Sequence, residues 1–147
     1  MTAALQSYAD RGVFRGFRAT AARRGRIDYQ FLWLTKKPMR ATFDPTAGTV
    51  KFPSLFPGVD TDAARDLKSI LASRRHRSQP RHRRIDARRA RVSGTLNAGG
   101  FGLVVEIRGR NDGYAVRHAL NLINELFVAL QERHPEYLVE RFGFSAE

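Results

Sequence analysis

The sequence predicts one α+β domain over residues 1–147, an antiparallel five-stranded sheet with the element order α-β-β-β-α-β-β-α. Period-two alternation recurs around Trp33 and Val105, and an apolar stripe at helical spacing runs from Val116 to Leu130. With 42% hydrophobic and 10% aromatic residues there is enough apolar material for a core of its own.

The first twenty-odd residues read as a helix. Thr2 is placed to cap it, and Leu5, Tyr8 or Ala9, Val13 and Phe17 approximate one stripe. Gly12 and Gly16 each cost about 1 kcal/mol relative to alanine in a helix, so a break falls near Gly12. From Arg26 the period changes to two: Ile27, Tyr29, Phe31 and Trp33 share a face, with Asp28, Gln30, Leu32 and Leu34 on the other. Lys36, Lys37 and Pro38 interrupt, and Met39, Ala41 and Phe43 restart the alternation. A turn over Asp44 to Gly48 leads to a third strand through Val50 and Phe52. Pro53 and Pro57 assign this strand to a sheet edge, with Leu55 and Phe56 plugged into the core.

Asp60, Thr61 and Asp62 offer caps for a helix that turns Ala63 or Ala64, Leu67, Ile70 and Leu71 inward. Ala90, Val92, Gly94 and Leu96 alternate with Arg89, Arg91, Ser93 and Thr95, which makes a fourth strand whose outward face starts with arginines. A glycine-containing turn at 97–100 returns the chain through Phe101, Leu103, Val105 and Ile107. The last long helix is capped by Asp112 and stopped by Pro135, about 22 residues or about 33 Å. Tyr137, Leu138, Phe142 and Phe144 then either fold back on the core or meet a second copy in a homodimer.

Charge marks the partner. The formal net charge is +12, and Arg74 to Arg91 alone holds nine arginines against Asp86, or +8. Guanidinium groups stay charged at any working pH and present planar donor forks to phosphate or carboxylate. Gln79 and Pro80 break helical continuity, so a basic loop is expected at about 74–88. Arg75, Arg77, Arg83 and Arg84 in this loop, with Arg89 and Arg91 on the strand, are the candidate partner-binding residues. Residues 1–40 add a second basic region, +7, and the two form one polyanion-attracting patch if they share a face.

Catalytic and metal signatures are missing from the pattern. His76, His82, His118 and His134 do not pair with carboxylates at ligand spacings, and no serine stands in a strand-turn-helix elbow. Gly99, Gly100 and Gly102 lack the lysine and following helix of a phosphate loop. No cofactor is expected, and the reading is non-enzymatic. Without cysteine there are no disulfides or thiolate metal sites, and a cytoplasmic protein that does not enter the membrane is expected. Helix and three strands followed by a helix is also the order of a double-stranded-RNA-binding domain, but Asp60 and Asp62 stand where such a domain needs cations.

The element order resembles the type III secretion chaperone-like fold, an antiparallel sheet covered by helices that small dimeric chaperones use. The runs FPSLFPGV at 52–59 and HRRIDARRARV at 82–92 resemble segments of a small group of uncharacterised bacterial proteins. The first resemblance implies a chaperone-like or adaptor module that binds an acidic protein. The arginine segment supports the alternative, a nucleic-acid-binding accessory protein that contacts phosphates without reading sequence.

Overall fold

A computed structural model describes residues 1–74, 84–97 and 99–144. Its elements are α1 (Thr2–Asp10), β1 (Arg15–Ala21), β2 (Ile27–Leu32), β3 (Met39–Asp44), β4 (Thr49–Phe56), α2 (Thr61–Ser73), β5 (Ala90–Asn97), β6 (Gly100–Ile107), α3 (Asp112–Arg133) and α4 (Pro135–Phe142). The chain is α+β, but its one antiparallel sheet has six strands, in the order β1-β2-β3-β4-β6-β5. Most of the expected basic loop, residues 75–83, lies outside the described residues.

The added strand comes from the N-terminal helix being shorter than its stripe suggests. Gly12, at φ +79°, supplies the left-handed residue that ends α1. The Val13 N–H donates to the Tyr8 carbonyl at 2.9 Å and the Gly12 N–H to the Ala9 carbonyl at 3.0 Å, the paired bonds of a Schellman stop. Beyond it Phe14, not Val13, enters the core, and Arg15–Ala21 pairs with β2 as an edge strand. Thr2 does not cap α1; its hydroxyl meets the Tyr29 hydroxyl at 2.7 Å. Asp112 likewise gives no cap, and its carboxylate accepts the N-terminal ammonium at 2.8 Å. Asp60 does cap α2, accepting the Ala63 N–H at 2.8 Å.

β4 is central, between β3 and β6, and not at the sheet edge. Pro53 is still accommodated within it by local edge geometry. Pairing with β3 ends at Lys51, so the missing N–H of Pro53 leaves no ladder bond empty, and a register shift between Phe52 and Phe56 lets both Leu55 and Phe56 turn inward.

One sheet face is apolar. Tyr29, Phe31, Ala41, Val50, Phe52, Leu103 and Val105 lie on it, under α3 and flanked by α1 and α2. Along α3, Val116, Ala119, Ile123, Leu126 and Leu130 face it at helical spacing. Ile123 is 0% exposed, so Ile123→Ala removes about 2–5 kcal/mol of stability in chemical denaturation; a change under about 1 kcal/mol would show that the site is not core. Alternate residues of the opposite sheet face, among them Asp28, Arg40, Lys51, Ser93 and Glu106, are exposed, and the fold is two layers.

The C-terminal aromatics are covered within the chain. Pro135 opens α4, and the Tyr137 hydroxyl donates to the Pro57 carbonyl at 2.7 Å, burial having pushed this phenol's pKa well up. Phe127 meets the Phe142 ring at 5.6 Å and the Phe144 ring at 6.3 Å. This is the tucked tail, with Phe142 buried and Phe144 left partly exposed. No helix among the described residues is long and apolar enough to cross a membrane.

Candidate functional site

Among the described residues the two basic regions lie at opposite edges of the sheet. Of the N-terminal arginines, Arg15, Arg18, Arg23, Arg24 and Arg26 sit on and just after β1, at one sheet edge, while Arg84, Arg88, Arg89 and Arg91, preceding and opening β5, sit at the other. Five strand spacings separate the edges, about 24 Å. Arg75, Arg77 and Arg83 lie outside the described residues. Arg84 is half-buried beside Ile85, whose N–H donates to the Arg74 carbonyl at 3.2 Å and closes the segment back on the end of α2.

Alternation along β5 places Arg89 and Arg91 on one outward face; the structure separates them. Arg89 precedes the strand, in a turn that the Asp86 carboxylate organises by accepting the Arg88 N–H at 3.0 Å. That backbone bond, with the charges of Arg88 and Arg89, holds Asp86 below the usual carboxylate range. From the turn Arg89 lies over the Tyr114 ring at 3.8 Å, and its Nε donates to Asn111 Oδ1 at 3.0 Å. Arg91 projects from the opposite, open face of the sheet, directly across from Glu106. Arg89 is therefore an ordered cation on the helix side, and Arg91 has a carboxylate as its cross-strand neighbour.

A groove with different chemistry lies at the other sheet edge. The chain after β2 turns at Trp33–Lys36, and the space between this turn, the start of β1 and the tail after α4 forms a cavity of about 650 Å³. Val13, Leu32, Trp33, Leu34, Phe142 and Phe144 supply its apolar lining. Arg15 and Lys36 supply its charge, no carboxylate is among its described lining residues, and Lys37 stands 5.7 Å from the centre of the Phe142 ring. Trp33 is anchored edge-on against Phe14, with ring centres 5.8 Å apart. The turn is strained: Leu34 has φ +66°, a left-handed conformation that costs a leucine about 1–2 kcal/mol. The Leu34 side chain lines the groove 38% exposed, as does Val13 at 41%.

Beyond the groove, β1 offers the free edge of the sheet. Its outer backbone has no neighbouring strand among the described residues, and nearly all its residues are exposed. Gly16, at φ +63°, forms a bulge where two residues of β1 oppose one of β2, which twists the strand between Arg15 and Arg18. Past the bulge, Arg18–Ala21 remains regular. Free backbone groups, exposed apolar side chains and cations thus occur together at this corner, a combination suited to an extended chain that carries apolar and acidic side chains.

Of the groove residues only Phe142 and Phe144 were singled out in the sequence for an intermolecular contact, as part of the aromatic tail, because the lining combines positions 13–15, 32–36, 131 and 142–144, which only the topology brings together. The positive φ of Leu34 has no sequence signature, since leucine is not a residue that favours it. No protein-family model matches the chain, nor does any curated protein or solved structure.

Proposed function

We propose that this chain is a non-enzymatic protein-interaction module, chaperone-like or adaptor in kind, whose groove takes an extended acidic segment with a large apolar side chain. The observation that carries the reading is the groove itself: an apolar lining in which Val13 and Leu34 are exposed, a leucine at positive φ, and cations without a carboxylate among the described lining residues. The segment pairs with the free edge of β1, its carboxylates meet Arg15, Arg18 and Lys36, and its apolar side chain enters between Leu34 and Phe144. The similarity of element order to the type III secretion chaperone-like fold, once β1 and α4 are set aside, supports the same class of partner.

Trp33 is the sole tryptophan and lines the groove, so its emission reports occupancy directly. Titration with a synthetic peptide alternating glutamate and leucine is expected to shift that emission. The affinity should fall as salt rises and drop about tenfold or more in Leu34→Asp, where a buried carboxylate is left facing an apolar partner. The same peptide with lysine for glutamate should not bind. Unchanged Trp33 emission, or equal binding of the two peptides, overturns the proposal.

Arg89 favours a second reading, a sequence-nonspecific nucleic-acid contact, because a guanidinium already ordered on Tyr114 reaches a phosphate without further entropic cost. Labelled duplex DNA distinguishes the two: Arg89→Ala should weaken DNA binding and leave the peptide titration unchanged.

A further inference from the structure

A second cavity, independent of the groove, lies on the far side of α3 at the root of the arginine segment. Its volume, about 310 Å³, is at the lower end of small-ligand sites, roughly 300–1,000 Å³. His118, Asn121 and Glu125 reach it from successive turns of one helix face, with Asn124 beside them, and Arg74 reaches it from the end of α2. Ile85 and Leu122, both buried, form apolar walls.

His118 is the feature that calls for a ligand. It is 7% exposed, the one buried polar side chain among the described residues, and it has no hydrogen-bond partner among them. Its ring nitrogens are not fully closed off from solvent, so they are open to a ligand in the cavity. Its ring is held in place against Tyr114, centre to centre at 4.2 Å. Burial first, then the charges of Arg117 and Arg89, lower its pKa, so at neutral pH it presents one N–H donor and one nitrogen acceptor.

Among the described lining residues the charge is balanced. The Arg74 guanidinium pairs with the Glu125 carboxylate, and the other polar groups are a histidine and two carboxamides. A bare anion inserted here would meet the Glu125 carboxylate. A neutral planar ring with alternating donors and acceptors instead finds complementary groups on Asn121, Asn124 and His118, as carboxamides pair with base edges elsewhere. Outside the cavity the sign changes: Arg84 adjoins Ile85, Arg89 covers Tyr114, and Arg117 lies close enough to His118 to shift its titration.

We propose that this cavity is a nucleotide-binding site, with the base held between Ile85 and Leu122 and read by His118, Asn121 and Asn124, and the phosphate held by the surrounding arginines. The nucleotide is either a free mononucleotide or one unit of a single-stranded nucleic acid.

Calorimetric titration of the full chain with each of the four nucleoside monophosphates, and separately with a short single-stranded RNA, tests this. At least one of these ligands should bind. Inorganic phosphate and ribose 5-phosphate should bind about tenfold more weakly or not at all. Asn121→Ala and His118→Leu should each weaken binding about tenfold, about 1.4 kcal/mol. A monophosphate that binds with this sensitivity identifies a free nucleotide as the ligand; RNA binding alone, with the same sensitivity, identifies a single strand. Asn121 is exposed, so its variant decides the matter if His118→Leu fails to fold by circular dichroism. Absence of binding by every nucleotide ligand, phosphate binding as tight as nucleotide binding, or an affinity unchanged in folded Asn121→Ala overturns the proposal. Leu34→Asp, at the groove, should leave these titrations unaltered, so failure here and failure of the groove reading are distinguishable.

Discussion

Replacing Gly102 with alanine is expected to lower the stability of this protein by about 3 kcal/mol or more, one of the largest effects available to a single methyl group here. A Cβ at this position would lie 2.5 Å from the Phe52 carbonyl oxygen and 2.7 Å from that of Pro53. Both are main-chain atoms of β4, at the register shift that lets Leu55 and Phe56 turn inward, and they cannot rotate aside as a side-chain tip would. The clash is relieved only if β4 parts from β6. Chemical denaturation measures the loss, with Gly113→Ala as the control. Nothing lies within 4 Å of a Cβ at Gly113, and alanine there gains up to about 1 kcal/mol from helix propensity. If the two variants are equally stable, the close approach of β4 to β6 is not as described.

Phe56→Ala is the companion result, an expected loss of about 3–5 kcal/mol. Phe56 is 0% exposed and joins two parts of the core, its ring centre 4.8 Å from that of Phe127 on α3 and 6.3 Å from that of Phe101 on β6. Truncation leaves a cavity bounded by a helix and a strand that are fixed by their own pairings, so collapse is limited and the cost falls in the upper part of the range for large-to-small changes. Thermal and denaturant unfolding should agree on it, and a loss below about 1.5 kcal/mol would mean that the ring is not central to packing.

The parts of this architecture that were legible in the sequence are those where one hydrophobic period has no competitor. Tyr29 and Phe31, Val50 and Phe52, and Leu103 and Val105 alternate without interruption, and α3 carries its stripe over 22 residues with Pro135 as a stop. β1 was illegible for a specific reason. Its bulge at Gly16 puts Phe14 and Phe17, three apart, on the same side of the sheet, which is the spacing of a helix. The remaining residues of this edge strand face solvent and carry no alternation. Pro53 misled in the opposite direction: it signals an edge, and the edge is real, but only for the stretch of β4 beyond Lys51. Of the site residues, the sequence could find charge but not its direction. Arg89 and Arg91 have the same parity, yet the turn before β5 sends one to α3 and the other to the open face of the sheet. His118 reads as a surface or loop histidine, and its burial in a cavity shared with Ile85 and Arg74 is visible only in the fold.

The strand order also has a kinetic meaning. Four of the five strand pairings join neighbours along the chain, so each closes a short loop and can form within microseconds. The fifth, β4 with β6, brings Val50 to Val105 across α2 and β5. Closing a loop of about 50 residues costs about 3–4 kcal/mol of chain entropy, plus a constant, before any contact offsets it. The molecule is therefore a four-stranded meander and a hairpin that meet at one seam, and the rate at which that seam closes sets how fast the whole chain folds. Gly102 lies in the seam, so stopped-flow refolding of Gly102→Ala should be slowed as well as its product destabilised; a variant that refolds at the parent rate and only unfolds faster would place the closure of the seam after the barrier.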